Sequence, residues 1–141
     1  MNISSKTSES YKTIDASDLT FFRSLLADRC LDSMEIRKEY GHDETEDLQF
    51  WPDLVLKPIS VEEVSKIMRY CYQHHIVVTP SGARTGLSGG CLPIEKGIAL
   101  SLEKMNRILK IDENNHQVTT EPGVITEVLQ NAVREVGLFY P

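Results

Sequence analysis

Apolar positions along this chain follow two periods, and the changes between them mark out the elements. Leu19, Phe22, Leu25 and Leu26 recur at helical spacing behind Asp15, a good capping residue, and predict a first helix. From Cys30 to Trp51 the pattern is irregular and acidic, as for a helical turn followed by loop. "DLVLKP" is a short apolar run closed by Pro58, which predicts a strand. In "SVEEVSKIMRYCYQHH", Ser60 and Glu63 have capping-box spacing, and Val61, Val64, Ile67, Met68 and Cys71 form a helical stripe. "IVVTP" is β-branched and apolar, which predicts a strand buried on both faces. Strand, helix and strand make a βαβ unit with a right-handed crossover.

Beyond a glycine-rich stretch, "GIALSL" predicts another strand. "RILKID" and "QVTTEP" flank the polar link "ENNH" and predict an antiparallel hairpin. "VITEVLQNAVREVG" predicts a helix that buries Ile125, Val128, Leu129, Ala132 and Val136, with Gly137 as its C-terminal cap. The final "LFYP" is either a last strand packed on the sheet or the point where a larger fold is cut. The second reading is the expectation taken here, and it implies an exposed apolar surface prone to self-association.

Composition narrows the function classes. The 141 residues suffice for one domain with a core, and no apolar run approaches the length of a membrane helix. The polar N-terminus lacks a signal-peptide core, so the cytosol is expected. A net charge of −6 argues against nucleic acid as a partner. The cysteines Cys30, Cys71 and Cys91 form no CxxC pair and predict neither disulfides nor zinc.

The informative chemistry lies in "VVTPSGARTGLSGGCLP", which holds Gly82, Gly86, Gly89 and Gly90 and one charged residue, Arg84. At the chain's charged fraction of 26%, residues 76–94 would carry about five charges and carry one. Bare backbone lets a ligand approach main-chain N–H groups, and successive N–H groups form a concave anion site suited to a diphosphate. The spacing is neither Walker A nor G-x-G-x-x-G, so on spacing alone a phosphate site and a plain surface loop both remain open.

The run "PSGARTGLSGG" closely resembles the pyrophosphate-binding loop of FAD-linked oxidoreductases of the vanillyl-alcohol oxidase / p-cresol methylhydroxylase type. The elements around it, "IALSLEKMNRILKIDENNHQVTTEPGV" downstream and "YGHDET" upstream resemble the same family in order, from about Asp15 to Pro141. The glycolate oxidase D-subunit and D-lactate dehydrogenase type is the subgroup most resembled.

The resemblance implies an α+β fold: a small βαβ subdomain, then part of a second subdomain with an antiparallel hairpin and a helix. The chain itself reads as a disordered lead-in (1–13) and a helix and loop (14–52), and the resemblance implies that 53–141 is the truncated N-terminal part of the FAD-binding domain. It implies that Ser81, Gly82, Ala83, Arg84, Thr85, Gly86 and Leu87 hold the FAD diphosphate by backbone N–H groups. Ser88 adds a hydroxyl, Gly89 and Gly90 let the chain pass the flavin, and Pro122, Gly123 and Val124 form a second contact. Arg84 stands where some relatives carry a flavin-linked histidine, which implies noncovalent FAD. The implied parent activity is oxidation of a small 2-hydroxy acid, with no catalytic or metal-binding residue in this chain. Two alternatives are a noncatalytic nucleotide- or phosphate-binding module and a relative of the FAD-dependent peptidoglycan-precursor reductase.

Outside the loop, His74 and His75 suit the negative end of a helix dipole, His42 a surface loop and Cys91 a small buried site. Phe50 and Trp51 are expected in the core, and the acidic run Asp43, Glu44, Glu46, Asp47 as a solvated loop.

Overall fold

The computed structural model describes residues 11–45 and 48–141; most of the predicted lead-in and two residues of the acidic run, Glu46 and Asp47, lie outside them. The elements are α1 (Ala16–Leu26), β1 (Cys30–Leu31), α2 (Met34–Glu39), β2 (Leu54–Leu56), α3 (Val61–His74), β3 (Val78–Ser81), β4 (Ile98–Ser101), β5 (Ile108–Asp112), β6 (Gln117–Thr120) and α4 (Thr126–Glu135). A four-stranded sheet has the order β1-β2-β4-β3, with β2, β4 and β3 parallel and β1 antiparallel on the edge. β5 and β6 form a separate antiparallel hairpin. This is the mixed architecture expected, with β4 inserted between the two strands of the βαβ unit.

The pleat sends alternate residues of the central strands into two cores. Leu54, Leu56, Ile98 and Leu100 pack with Phe22 and Leu26 of α1 and Ile67 and Cys71 of α3. Val55 and Ala99 face the other way, onto Tyr40 at the end of α2. β3 is not buried on both faces as expected. It pairs with β4 alone, and Pro80 within it is exposed. Proline lacks an N–H and is tolerated in a sheet mainly on such an edge.

Both leading helices begin as their sequences predict. Asp15 caps α1 in a capping box with Asp18, and Ser60 Oγ accepts the Glu63 N–H at 3.2 Å. The Glu63 carboxylate instead takes the Ile59 N–H at 2.8 Å and a bidentate pair from Arg29 at 2.6 and 2.7 Å. The predicted α3 stripe narrows: Ile67 and Cys71 are buried, whereas Val61 and Met68 are exposed. In α4 only Val133 is buried, while Ile125 and Val128 face solvent. Lys12, assigned to the lead-in, is tied down: its N–H donates to His75 O at 2.9 Å and its ammonium reaches Asp18. Trp51, expected in the core, is exposed beside Lys38.

Candidate functional site

The carboxyl ends of the three parallel strands converge on one side of the sheet, where open α/β sheets place their ligands. β3 ends at Ser81 and opens into the glycine-rich loop, β4 runs on to Glu103, and β2 runs on to Lys57. A cavity of about 420 Å³ lies there, lined by Ala83, Arg84 and Thr85, by Glu103 and Asn106, and by Pro122 to Thr126. The two segments singled out in the sequence, at residues 83–85 and 122–124, therefore share one wall.

From Gly82 to Ser88, no main-chain N–H donates to an acceptor among the described residues. The next one, Gly89 N–H, is held by Thr45 Oγ1 at 2.8 Å. A Cβ built on Gly82 would meet nothing within 4 Å, so the fold itself does not require glycine there. Gly123 is the opposite case. Its Cβ would run into the carbonyls of Leu102 and Met105, and its N–H already donates to Met105 O at 2.8 Å. The Pro122–Val124 turn thus borders the cavity with the Gly123 N–H engaged inside the protein.

The far half of the loop curls away from the cavity. Gly86 O accepts the Glu44 N–H at 3.1 Å, and Leu87 is exposed. Asp43, expected in a solvated loop, is buried. Its carboxylate takes the Thr45 N–H at 2.9 Å and lies 3.7 Å from Cys91 Sγ. The Thr45 N–H holds the Asp43 carboxyl below its usual range against the cost of burial. "YGHDET" is thus the clasp of the glycine loop. Cys91 is half-buried, and Ser81 Oγ is buried without a hydrogen-bond partner.

Arg84, the loop's cation, adopts a left-handed φ of 58°, a conformation that costs a non-glycine residue about 1–3 kcal/mol. Its guanidinium lies 4.1 Å from the centroid of the Tyr40 ring and 3.1 Å from Glu39 Oε1. A cation over an aromatic face contributes about 0.5–2 kcal/mol, of the same order as the strain. Tyr40 Oη donates to Glu103 Oε2 at 2.6 Å, and Lys57 Nζ reaches Glu103 Oε1 at 2.8 Å. Burial raises the Glu103 pKa, but Lys57 and the Tyr40 hydroxyl outweigh it and leave the carboxyl below its usual range. Both cations at this rim are therefore paired with carboxylates.

Sequence reasoning missed Tyr40, Asp43, Thr45, Lys57 and Glu103, whose contacts span tens of residues. Its one signal was the "YGHDET" segment. His42 is exposed and His74 stacks on Tyr70 at 4.1 Å. Among the described residues no group of three or more His, Cys, Asp or Glu is placed to hold a metal.

A glycine loop with free amides at the carboxyl ends of parallel strands, followed by a hairpin and a helix, is the layout of a PCMH-type FAD-binding domain. Residues 52–141 match the family described as FAD binding domain, and the chain belongs to that family. It is 43% identical over 110 residues to glycolate oxidase subunit GlcD of Bacillus subtilis (strain 168), covering 78% of this chain and 23% of that one. It is 36% identical over 132 residues to a D-lactate dehydrogenase of Anaerostipes hadrus, covering 93% and 28%. A solved p-cresol methylhydroxylase superposes with a TM-score of 0.74 at 26% identity, covering 85% of this chain and 24% of that one. The chain spans about a quarter of the length of these relatives.

FAD is the cofactor that the family implies. The residues present fit part of it: open space in front of Gly82, a run of unengaged amides and a cavity beside them.

Proposed function

We propose that this chain supplies the diphosphate-holding part of the FAD site in a flavin-dependent oxidoreductase that acts on a 2-hydroxy acid of the glycolate or D-lactate type. One observation carries the reading: the N–H groups from Gly82 to Ser88 are unengaged beyond the carboxyl end of β3, and residues 83–85 among them line the cavity. Neutral amide donors satisfy phosphate oxygens without burying unpaired cations. Ser81 through Leu87 hold the diphosphate, Thr85 and Ser88 add hydroxyls, and Gly89 and Gly90 let the chain pass the ring system. Pro122, Gly123 and Val124 complete the lining of the cavity.

Arginine cannot form the flavin linkage that histidine forms in some relatives, so the cofactor is held noncovalently. When bound, FAD supplies the hydride acceptor, and the protein binds and orients it. The relatives' names support the substrate class: glycolate oxidase, D-lactate dehydrogenase and D-2-hydroxyglutarate dehydrogenase.

The test is uptake of FAD by the purified chain, followed by flavin fluorescence, with ATP and inorganic diphosphate as competitors. The reading expects FAD to bind more tightly than ATP. Equal preference for ATP and FAD would favour a general phosphate-binding module. In the full-length protein, anaerobic addition of a 2-hydroxy acid should bleach the flavin band; failure with every 2-hydroxy acid tried would remove the substrate assignment.

A further inference from the structure

Residues that follow all three parallel strands touch one side chain, Tyr40. Lys57, after β2, lies 5.0 Å from the centroid of its ring. Glu103, after β4, accepts its hydroxyl at 2.6 Å. Arg84, after β3, stacks on its face at 4.1 Å. Tyr40 cannot readily shift, being 1% exposed and packed against Val55 and Ala99 of the two central strands. The network beneath the glycine loop is thus anchored in the core, whereas the loop amides above it are unengaged.

We propose that Tyr40 is a positioning residue for the FAD diphosphate and acts through Arg84. With the guanidinium pinned between the Tyr40 face and Glu39, the Arg84 backbone is fixed at its left-handed φ, which sets the peptide planes on either side. Those planes carry the N–H groups of residues 84 and 85, next to the cavity. Binding then meets a loop already ordered, and ordering a loop during association is a main cost of affinity. In this arrangement Arg84 shapes the loop from behind and is not the partner of the phosphates.

This inference rests on the reading that the loop holds the diphosphate, and the experiment separates the two. FAD is titrated against the chain carrying Gly82→Val, Tyr40→Leu, Arg84→Met, and the last two combined. Gly82→Val should abolish binding. Tyr40→Leu and Arg84→Met should each weaken it about tenfold, and the double variant should be no weaker than either, since both remove one device. Proteolysis within residues 82–88 of the cofactor-free chain should accelerate in Tyr40→Leu, a change that loss of a direct ligand contact would not produce.

If Tyr40→Leu does not fold, Tyr40→Met takes its place, an unbranched apolar side chain that fills the core without an aromatic face. It should weaken binding about tenfold alone and not at all in the Arg84→Met background. Losses that multiply overturn the proposal, as does tighter binding in Tyr40→Leu, which would mean that Tyr40 withholds Arg84 from the phosphates. Unchanged binding in Gly82→Val overturns the diphosphate reading and the proposal with it.

Discussion

Tyr70 Oη donates to Asp18 Oδ1 at 2.9 Å, joining α3 to α1 through a carboxylate with no solvent exposure. The same carboxylate takes Lys12 Nζ at 2.7 Å on both oxygens and the Asp15 N–H at 2.9 Å. Phe21 stacks on Tyr70 at 3.9 Å alongside. One acidic residue therefore fastens residues 12–15, α1 and α3 into a single layer over the sheet.

Removing that fastening should be costly near neutral pH. Burial works against the Asp18 charge, but Lys12, the Asp15 N–H and Tyr70 outweigh it and leave the carboxyl below its usual range. A depressed carboxyl stabilises the fold fully above its unfolded value, about 3.9, and this contribution disappears as pH falls through the lower folded value. Asp18→Ala should therefore cost about 2–3 kcal/mol in urea unfolding at pH 7. The gap to wild type should narrow at acid pH; a gap constant with pH would contradict this account.

Two glycines should respond oppositely to alanine. Gly123→Ala drives a methyl into the Leu102 and Met105 carbonyls and should cost at least about 2 kcal/mol. Gly82→Ala meets open space and should leave stability within about 1 kcal/mol of wild type while weakening FAD. Thermal denaturation and FAD titration of both variants decide the matter.

The recognised and missed parts of this site differ in sequence range. The caps at Asp15 and Ser60, the hairpin around residues 113–116 and the unusual residues 81–90 are local signals, and each was legible. The loop's grip on Thr45 and the Tyr40–Glu103 bond join residues 44 and 63 positions apart, and no local pattern announces them. "IVVTP" looks central because it is apolar throughout. Its edge position is betrayed only by Pro80, which has no N–H to donate to a ladder. Val61 and Met68 have the right period but sit at the margin of the stripe, where helix packing and not periodicity decides burial.

Binding of FAD should be nearly insensitive to salt. Arg84 and Lys57 are engaged with Glu39 and Glu103, so the phosphates meet neutral amides. Raising ionic strength from low to high should change the affinity less than about twofold, because no exposed ion pair with the ligand is screened. A steep loss of affinity with salt would show a cation acting on the diphosphate.

Thiol reactivity should rank the three cysteines. Burial pushes the Cys71 thiol up to about 12 and raises Cys30 as well. Cys91 is the least buried, but burial and the nearby Asp43 carboxylate also raise it. Iodoacetamide at neutral pH should label Cys91 first, yet more slowly than a free cysteine. Asp43→Asn should speed that labelling; no acceleration would mean that Asp43 does not govern the thiol.

The placement of β3 has a mechanical consequence. A strand laddered on one side only, and ending in the glycine segment, can be displaced without parting β2 from β4, whose side chains carry both cores. The clasp at residues 43–45 can thus open while the strands that carry both cores stay paired. Mobility at the loop and the durability of the fold are governed by different bonds.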